Sequence, residues 1–132
     1  MHNKENNRND KVLNLVLDER WWNYVKSGDK KEVYRLVTRW SILRFINEDY
    51  HCCFNTDDIE TDFMAWYHFT KLDYERIFRH YDVVRFYLGY PIITMSFRIE
   101  SIRVKSGEVC SLIWGADPDK YYFVIKLGER ID

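Results

Sequence analysis

A chain of 132 residues with 46% hydrophobic and 17% aromatic side chains can fill one buried core. Its formal net charge of −1 excludes a protein that coats nucleic acid by bulk electrostatics, so any such binding must be local. Three cysteines, Cys52, Cys53 and Cys110, make no disulfide framework, and no apolar stretch near the start reads as a signal peptide or a membrane span, so a cytoplasmic protein is expected.

Residues 1–11 are polar, Asn-rich and nearly devoid of apolar anchors, which predicts a disordered arm ahead of a single domain over 12–132. Residues 13–17 alternate and then run apolar, as a first strand does. Asp18 is a candidate N-cap for a helix over 19–27 whose packed side carries Trp21, Trp22 and Val25. Ser27-Gly28-Asp29 ends it, because Gly supplies the positive φ of a helix C-terminus. A strand follows over 31–37. If it begins at Lys30, alternation puts Lys30, Glu32, Tyr34 and Leu36 on one face and Lys31, Val33, Arg35 and Val37 on the other.

Thr38 can cap a second helix bearing Trp40, Leu43, Arg44 and Ile46 at helical spacing. Trp40 is expected to pack inward with Leu43, since large aromatics dominate small cores; the other placement is a stacking platform beside Tyr34. Residues 48–80 loosen into acidic and aromatic residues, including Asp57, Asp58, Glu60 and Asp62, with a helical stretch over 73–78, and read as an insertion. Strands are predicted over 81–88, 94–104 and 121–127. Pro91 ends the first of them, and Ser106-Gly107 and Asp117-Pro118-Asp119 mark turns. In 94–104, Met95, Phe97 and Ile99 share one parity, Ser96, Arg98, Glu100 and Ile102 the other. About five strands with flanking helices and no βαβ repeat make this an α+β chain with a mixed, partly closed barrel.

The chemistry concentrates between residues 26 and 44. Lys30, Lys31, Arg35, Arg39 and Arg44, interleaved with Tyr34 and Trp40, have the makeup of a site that holds phosphates on cations and stacks a base on a ring. Alternatively, Arg35 and Arg44 pair with Glu32, Glu100 or Asp82 inside the fold while Lys30 and Lys31 flank a solvated turn. In the binding reading Lys30 and Lys31 are exposed, so removing them should leave stability almost unchanged. His51, beside Cys52 and Cys53, lacks the second ligand pair that zinc requires, so no metal and no cofactor is expected.

Gly28, Lys30 and Arg35 fall in register with a Gly-x-Lys-x-x-Glu-x-Arg run, although Val33 stands where that run has Glu and Glu32 lies one position early. Trp40 and Arg44 follow, then Tyr81-Asp82-Val83-Val84-Arg85-Phe86, Gly89-Tyr90, Trp114-Gly115-Ala116 and Phe123-Val124-Ile125-Lys126-Leu127-Gly128. In this order the segments resemble the ASCH domain, a PUA-like β-barrel family associated with RNA, in a bacterial and phage-like branch. The resemblance implies a PUA-like barrel and an RNA or nucleotide-like ligand held by Lys30, Lys31, Tyr34, Arg35, Trp40 and Arg44.

Catalysis has less support than binding. One ASCH branch hydrolyses acetylated cytidine with a Lys of this run and a Thr three residues later; Lys30 matches, but Val33 occupies the Thr position. A ribonuclease activity is also associated with the family, and His51, His68 and His80 are its candidate acid and base, yet all lie in or beside the 48–80 segment. The alternatives to a binding domain are therefore a small enzyme acting on a modified nucleoside or RNA, or a protein-interaction module using the acidic, aromatic stretch over 57–67.

Overall fold

A computed structural model describes residues 9–54, 74–89 and 92–132. In chain order these form β1 (Val12–Val16), α1 (Glu19–Ser27), β2 (Glu32–Leu36), α2 (Arg39–Phe45), a 3-10 segment (Glu48–Phe54), α3 (Tyr74–Ile77), β3 (Val83–Leu88), β4 (Ile93–Ser106), a 3-10 turn (Leu112–Trp114) and β5 (Tyr121–Arg130). The five strands make one mixed sheet in the order β1-β3-β4-β5-β2, with β1 parallel to β3 and β3 antiparallel to β4. The chain is thus α+β, as its element pattern predicts. No helix among the described residues is long and apolar enough to cross a membrane.

Local chemistry sets the helix limits. The Asp18 carboxylate accepts from the Arg20 amide at 2.8 Å, satisfying an N-terminal donor that the helix leaves open. Gly28 closes α1 at φ 87°, where any other residue would be strained, and its amide donates to the Val25 carbonyl. At α2 the Ser41 amide donates to the Thr38 hydroxyl at 3.2 Å, while the Ser41 hydroxyl accepts from the Thr38 amide at 2.8 Å. The same Ser41 hydroxyl donates to the Leu36 carbonyl at 2.7 Å, tying the end of β2 to the first turn of α2.

Among the described residues, 9–34, 80–89, 92–103 and 124–132 group into one compact unit, and 35–54, 74–79 and 104–123 into a second. In the first, Leu13, Leu15 and Leu17 alternate inward from β1, and Phe86 and Phe97 meet edge-on with centroids 6.1 Å apart. The expected alternation of β4 fails at Ser96, which is buried between Met95 and Phe97. Its amide donates to the Asp132 carboxylate at 2.8 Å, its carbonyl accepts from the Ile131 amide, and its hydroxyl accepts from Arg85, so each of its polar groups is satisfied away from water. In the second unit Phe45 stacks on Phe123 at 4.7 Å, and Phe78 meets Phe123 edge-on at 6.0 Å. Gly107 approaches the 117–120 turn so closely that a Cβ there would fall 1.8 Å from the Asp117 carbonyl oxygen.

Asp82 fastens the entry to β1. Its carboxylate accepts from the Lys11 amide at 2.9 Å and from His80 Nε2 at 2.7 Å, while Arg98 pairs with Asp10 at 3.0 Å. The Lys11 amide bond, and less strongly His80 and Arg98, hold the Asp82 pKa below its ordinary 3.8, against a smaller opposing effect of burial. A depressed carboxylate pKa gives stability that is present above the ordinary pKa and lost as pH falls through the folded one. The melting-temperature gap between wild type and Asp82→Asn is therefore expected to be full at pH 6 and to close as the pH drops below about 4. A gap that widens toward acid would contradict this assignment.

Candidate functional site

The six candidate residues divide into two groups, each within one unit. Lys30, Lys31 and Tyr34 belong to the first. Lys30 is not exposed, as the sequence predicts, but only 2% accessible. It precedes β2, and its amide donates to the Tyr24 carbonyl at 3.0 Å rather than into the sheet ladder, so strand alternation does not govern where its side chain goes. Its Nζ lies 5.0 Å from the centroid of Trp21 and 4.7 Å from that of Tyr34. Arg20 stands over the same indole at 4.4 Å, and the Tyr34 hydroxyl donates to Glu32 at 3.3 Å. Trp21 is expected from the sequence on the packed side of the helix with Trp22 and Val25; those two are buried, while Trp21 is only partly so. The signal that could have paired it with Lys30 was the Gly28 cap, which reverses the chain between them.

Lys31 is exposed, and its carbonyl accepts from the Leu127 amide on β5 at 2.9 Å. A cation buried against two rings supports the fold; one in water remains open to a phosphate.

Arg35, Trp40 and Arg44 belong to the second unit with Arg39. Trp40 does not pack inward with Leu43: it is 74% exposed, and Leu43 is also exposed. The reason lies in the spacing of α2, where Ile42 and Phe45, with Ile46 at its C-cap, present a competing apolar face at i, i+3 and i+4 and bury it completely. Trp40, Leu43 and Arg44 have the same spacing on another face. Leu36, at the end of β2, is exposed as well as Trp40 and Leu43. Arg35 is half-buried, and burial followed by the positive charge of Arg44 lowers its pKa. Arg39 is exposed at the first position of α2, where the helix dipole disfavours a cation and no acid occupies the first turn.

Two of the candidate histidines, His51 and His80, have structural partners. His51 Nε2 donates to the Ile46 carbonyl at 2.8 Å, a carbonyl that also accepts from Arg79 at 3.2 Å. His80 is held by Asp82. His68, the 57–67 stretch and the side chains of Cys52 and Cys53 lie outside the described residues, among which no group of three His, Cys, Asp or Glu could hold a metal ion.

Comparison with protein-family models, curated proteins and solved structures finds no match for this chain. The geometry alone therefore carries the functional reading.

Proposed function

We propose that the chain is a PUA-like, ASCH-type domain that binds single-stranded RNA or a nucleotide-like ligand around Trp40, with Arg35, Arg39 and Arg44 as its cations. What supports the reading is Trp40. An indole left mostly in water forgoes the burial free energy of one of the largest apolar side chains, and here it stands on a seven-residue helix with Arg39 beside it and Arg44 one turn on. A ring face for a base and guanidinium groups for phosphate are the two parts that a single-strand platform needs. Such a site works at a net charge near zero because its cations are local. Lys30 and Tyr34 act in this reading as supports within the first unit.

Trp40→Ala tests it. The variant is expected to melt within about 2 °C of wild type, since an exposed side chain contributes little to folding. It should lose about 1–3 kcal/mol of affinity for a short unpaired RNA, the worth of one stacked base. A large fall in melting temperature together with unchanged binding would remove the platform.

A second reading has its own observation. Val109, Leu112 and Ile113 are all exposed on the β4–β5 connection, a concentration of aliphatic surface more typical of a protein contact than of a nucleic-acid one.

A further inference from the structure

Independently of the Trp40 platform, we infer that the first unit binds a phosphate group on one face of its sheet, held by the guanidinium groups of Arg85 and Arg130 above Ser96. Cross-strand register sets Arg85 of β3 opposite Ser96 of β4, and period two adds Arg98 to the same face. Leu13, Val84 and Phe97, in register with one another, are buried on the opposite face. On β5, a Cβ at Gly128 would fall 3.3 Å from the Arg98 Cβ, which puts Gly128 and, two residues on, Arg130 on the face of Arg98.

Arg85 is half-buried, and its Nε donates to the Ser96 hydroxyl at 3.2 Å, so the side chain reaches from β3 over β4 in the direction of β5. Among the described residues Arg85 makes no other hydrogen bond, and no buried side-chain nitrogen lacks a partner; its terminal nitrogens therefore meet water. From the other side, the Asp132 carboxylate accepts from the Ser96 amide at 2.8 Å and pairs with Arg130 at 3.5 Å. Ser96 thus ties down one guanidinium directly and a second through Asp132, from the two strands that flank its own. Arg130 has the carboxylate of Asp132, and Arg98 has that of Asp10 at 3.0 Å, whereas the partner of Arg85 is a neutral hydroxyl. A half-drawn-in charge paired only with a hydroxyl is the one that gains most from an anion out of solution.

The two-sided arrangement selects the anion. A carboxylate presents two coplanar oxygens, which a single guanidinium fork saturates. A phosphate directs its oxygens several ways and can take one fork from β3 and another from β5. Those strands lie about 9.6 Å apart, at about 4.8 Å per step, which is short against the reach of two arginine side chains.

The test is a titration of the full chain at constant ionic strength with acetate, inorganic phosphate, methyl phosphate and dimethyl phosphate, read from the NMR signals of the arginine side-chain N–H groups. Inorganic and methyl phosphate should move the Arg85 signal with a dissociation constant of about 1 mM, the worth of two charge-assisted bonds, while acetate leaves it in place. Arg85→Gln, read from the Arg130 signal, should weaken that affinity about tenfold. Arg130→Gln, at an exposed residue, should do the same and gives the answer should Arg85→Gln fail to fold. Arg39→Gln/Arg44→Gln, in the second unit, should leave phosphate binding unchanged. Dimethyl phosphate that binds as well as methyl phosphate identifies the diester of a strand as the source of the group; weak binding identifies a phosphomonoester. Acetate that binds as well as phosphate would overturn this inference, as would an Arg85 signal that phosphate does not move. So would phosphate affinity that Arg39→Gln/Arg44→Gln removes and Arg85→Gln keeps, and in each case the Trp40 reading is left standing.

Discussion

Lys30→Ala is expected to destabilise the fold by about 3 kcal/mol, although a lysine beside a glycine turn is ordinarily among the least consequential residues to remove. Lys30 is 2% accessible, and its ammonium sits 5.0 Å and 4.7 Å from the ring centroids of Trp21 and Tyr34. Each desolvated cation–π contact is worth about 0.5–2 kcal/mol, and the truncated methylenes of the stem had about 0.8 kcal/mol each of burial. The desolvation cost of the buried charge, which the variant no longer bears, offsets part of this sum. At this chain length the melting temperature should fall by roughly 10 °C. Lys30→Met keeps the stem and the volume but not the charge, and should restore about half of the loss. Thermal unfolding of the three proteins decides the matter. A fall under about 2 °C for Lys30→Ala would mean that the stack contributes nothing and that the residue is available to a ligand.

Phe123→Ala should be the most damaging single truncation in the second unit. The ring is fully buried, stacked on Phe45 at 4.7 Å and met edge-on by Phe78 at 6.0 Å. Truncation removes the burial of the ring, both aromatic contacts and the packing of their partners, which together amount to about 3–5 kcal/mol. Phe123→Leu fills most of the cavity and should lose less than half as much. In urea the midpoint is expected to fall with an unchanged slope, because the surface exposed on unfolding stays the same. A changed slope would show instead that the second unit unfolds by itself.

The sequence was most legible where structure depends on residues close along the chain. Asp18 and Gly28 bracket α1 and Thr38 opens α2, because capping chemistry acts over two to four residues. The strands follow from period-two apolar patterns, and the observed β1, β2 and β3 each begin or end within about two residues of expectation. What failed depended on distant partners. Lys30 reads as a surface residue by type, and only the rings of Trp21 and Tyr34 make its burial tolerable. Trp40 is ambiguous from periodicity alone, since residues 40 and 43 and residues 42, 45 and 46 each form an apolar stripe on so short a helix. Ser96 is drawn inside by Asp132, thirty-six residues on. The parallel pairing of β1 with β3 likewise joins segments that no local pattern connects.

For the candidate site, composition and spacing singled out the cations and rings but not which of them are buried. The cluster of cations and rings between residues 26 and 44 separates into a buried support around Lys30 and an accessible face around Trp40, and that separation is set by packing rather than by charge.

The measurement that bears most directly on this account is the salt dependence of single-stranded RNA binding by the wild-type chain and by Arg39→Gln/Arg44→Gln. If Arg35, Arg39 and Arg44 meet about three phosphates, the logarithm of affinity should fall against the logarithm of salt with a slope near −2, at roughly −0.7 per phosphate. The double variant, with its melting temperature unchanged, should flatten that slope to about −0.7. Binding whose slope is the same in both proteins, or no salt-dependent binding by the wild type, would contradict it.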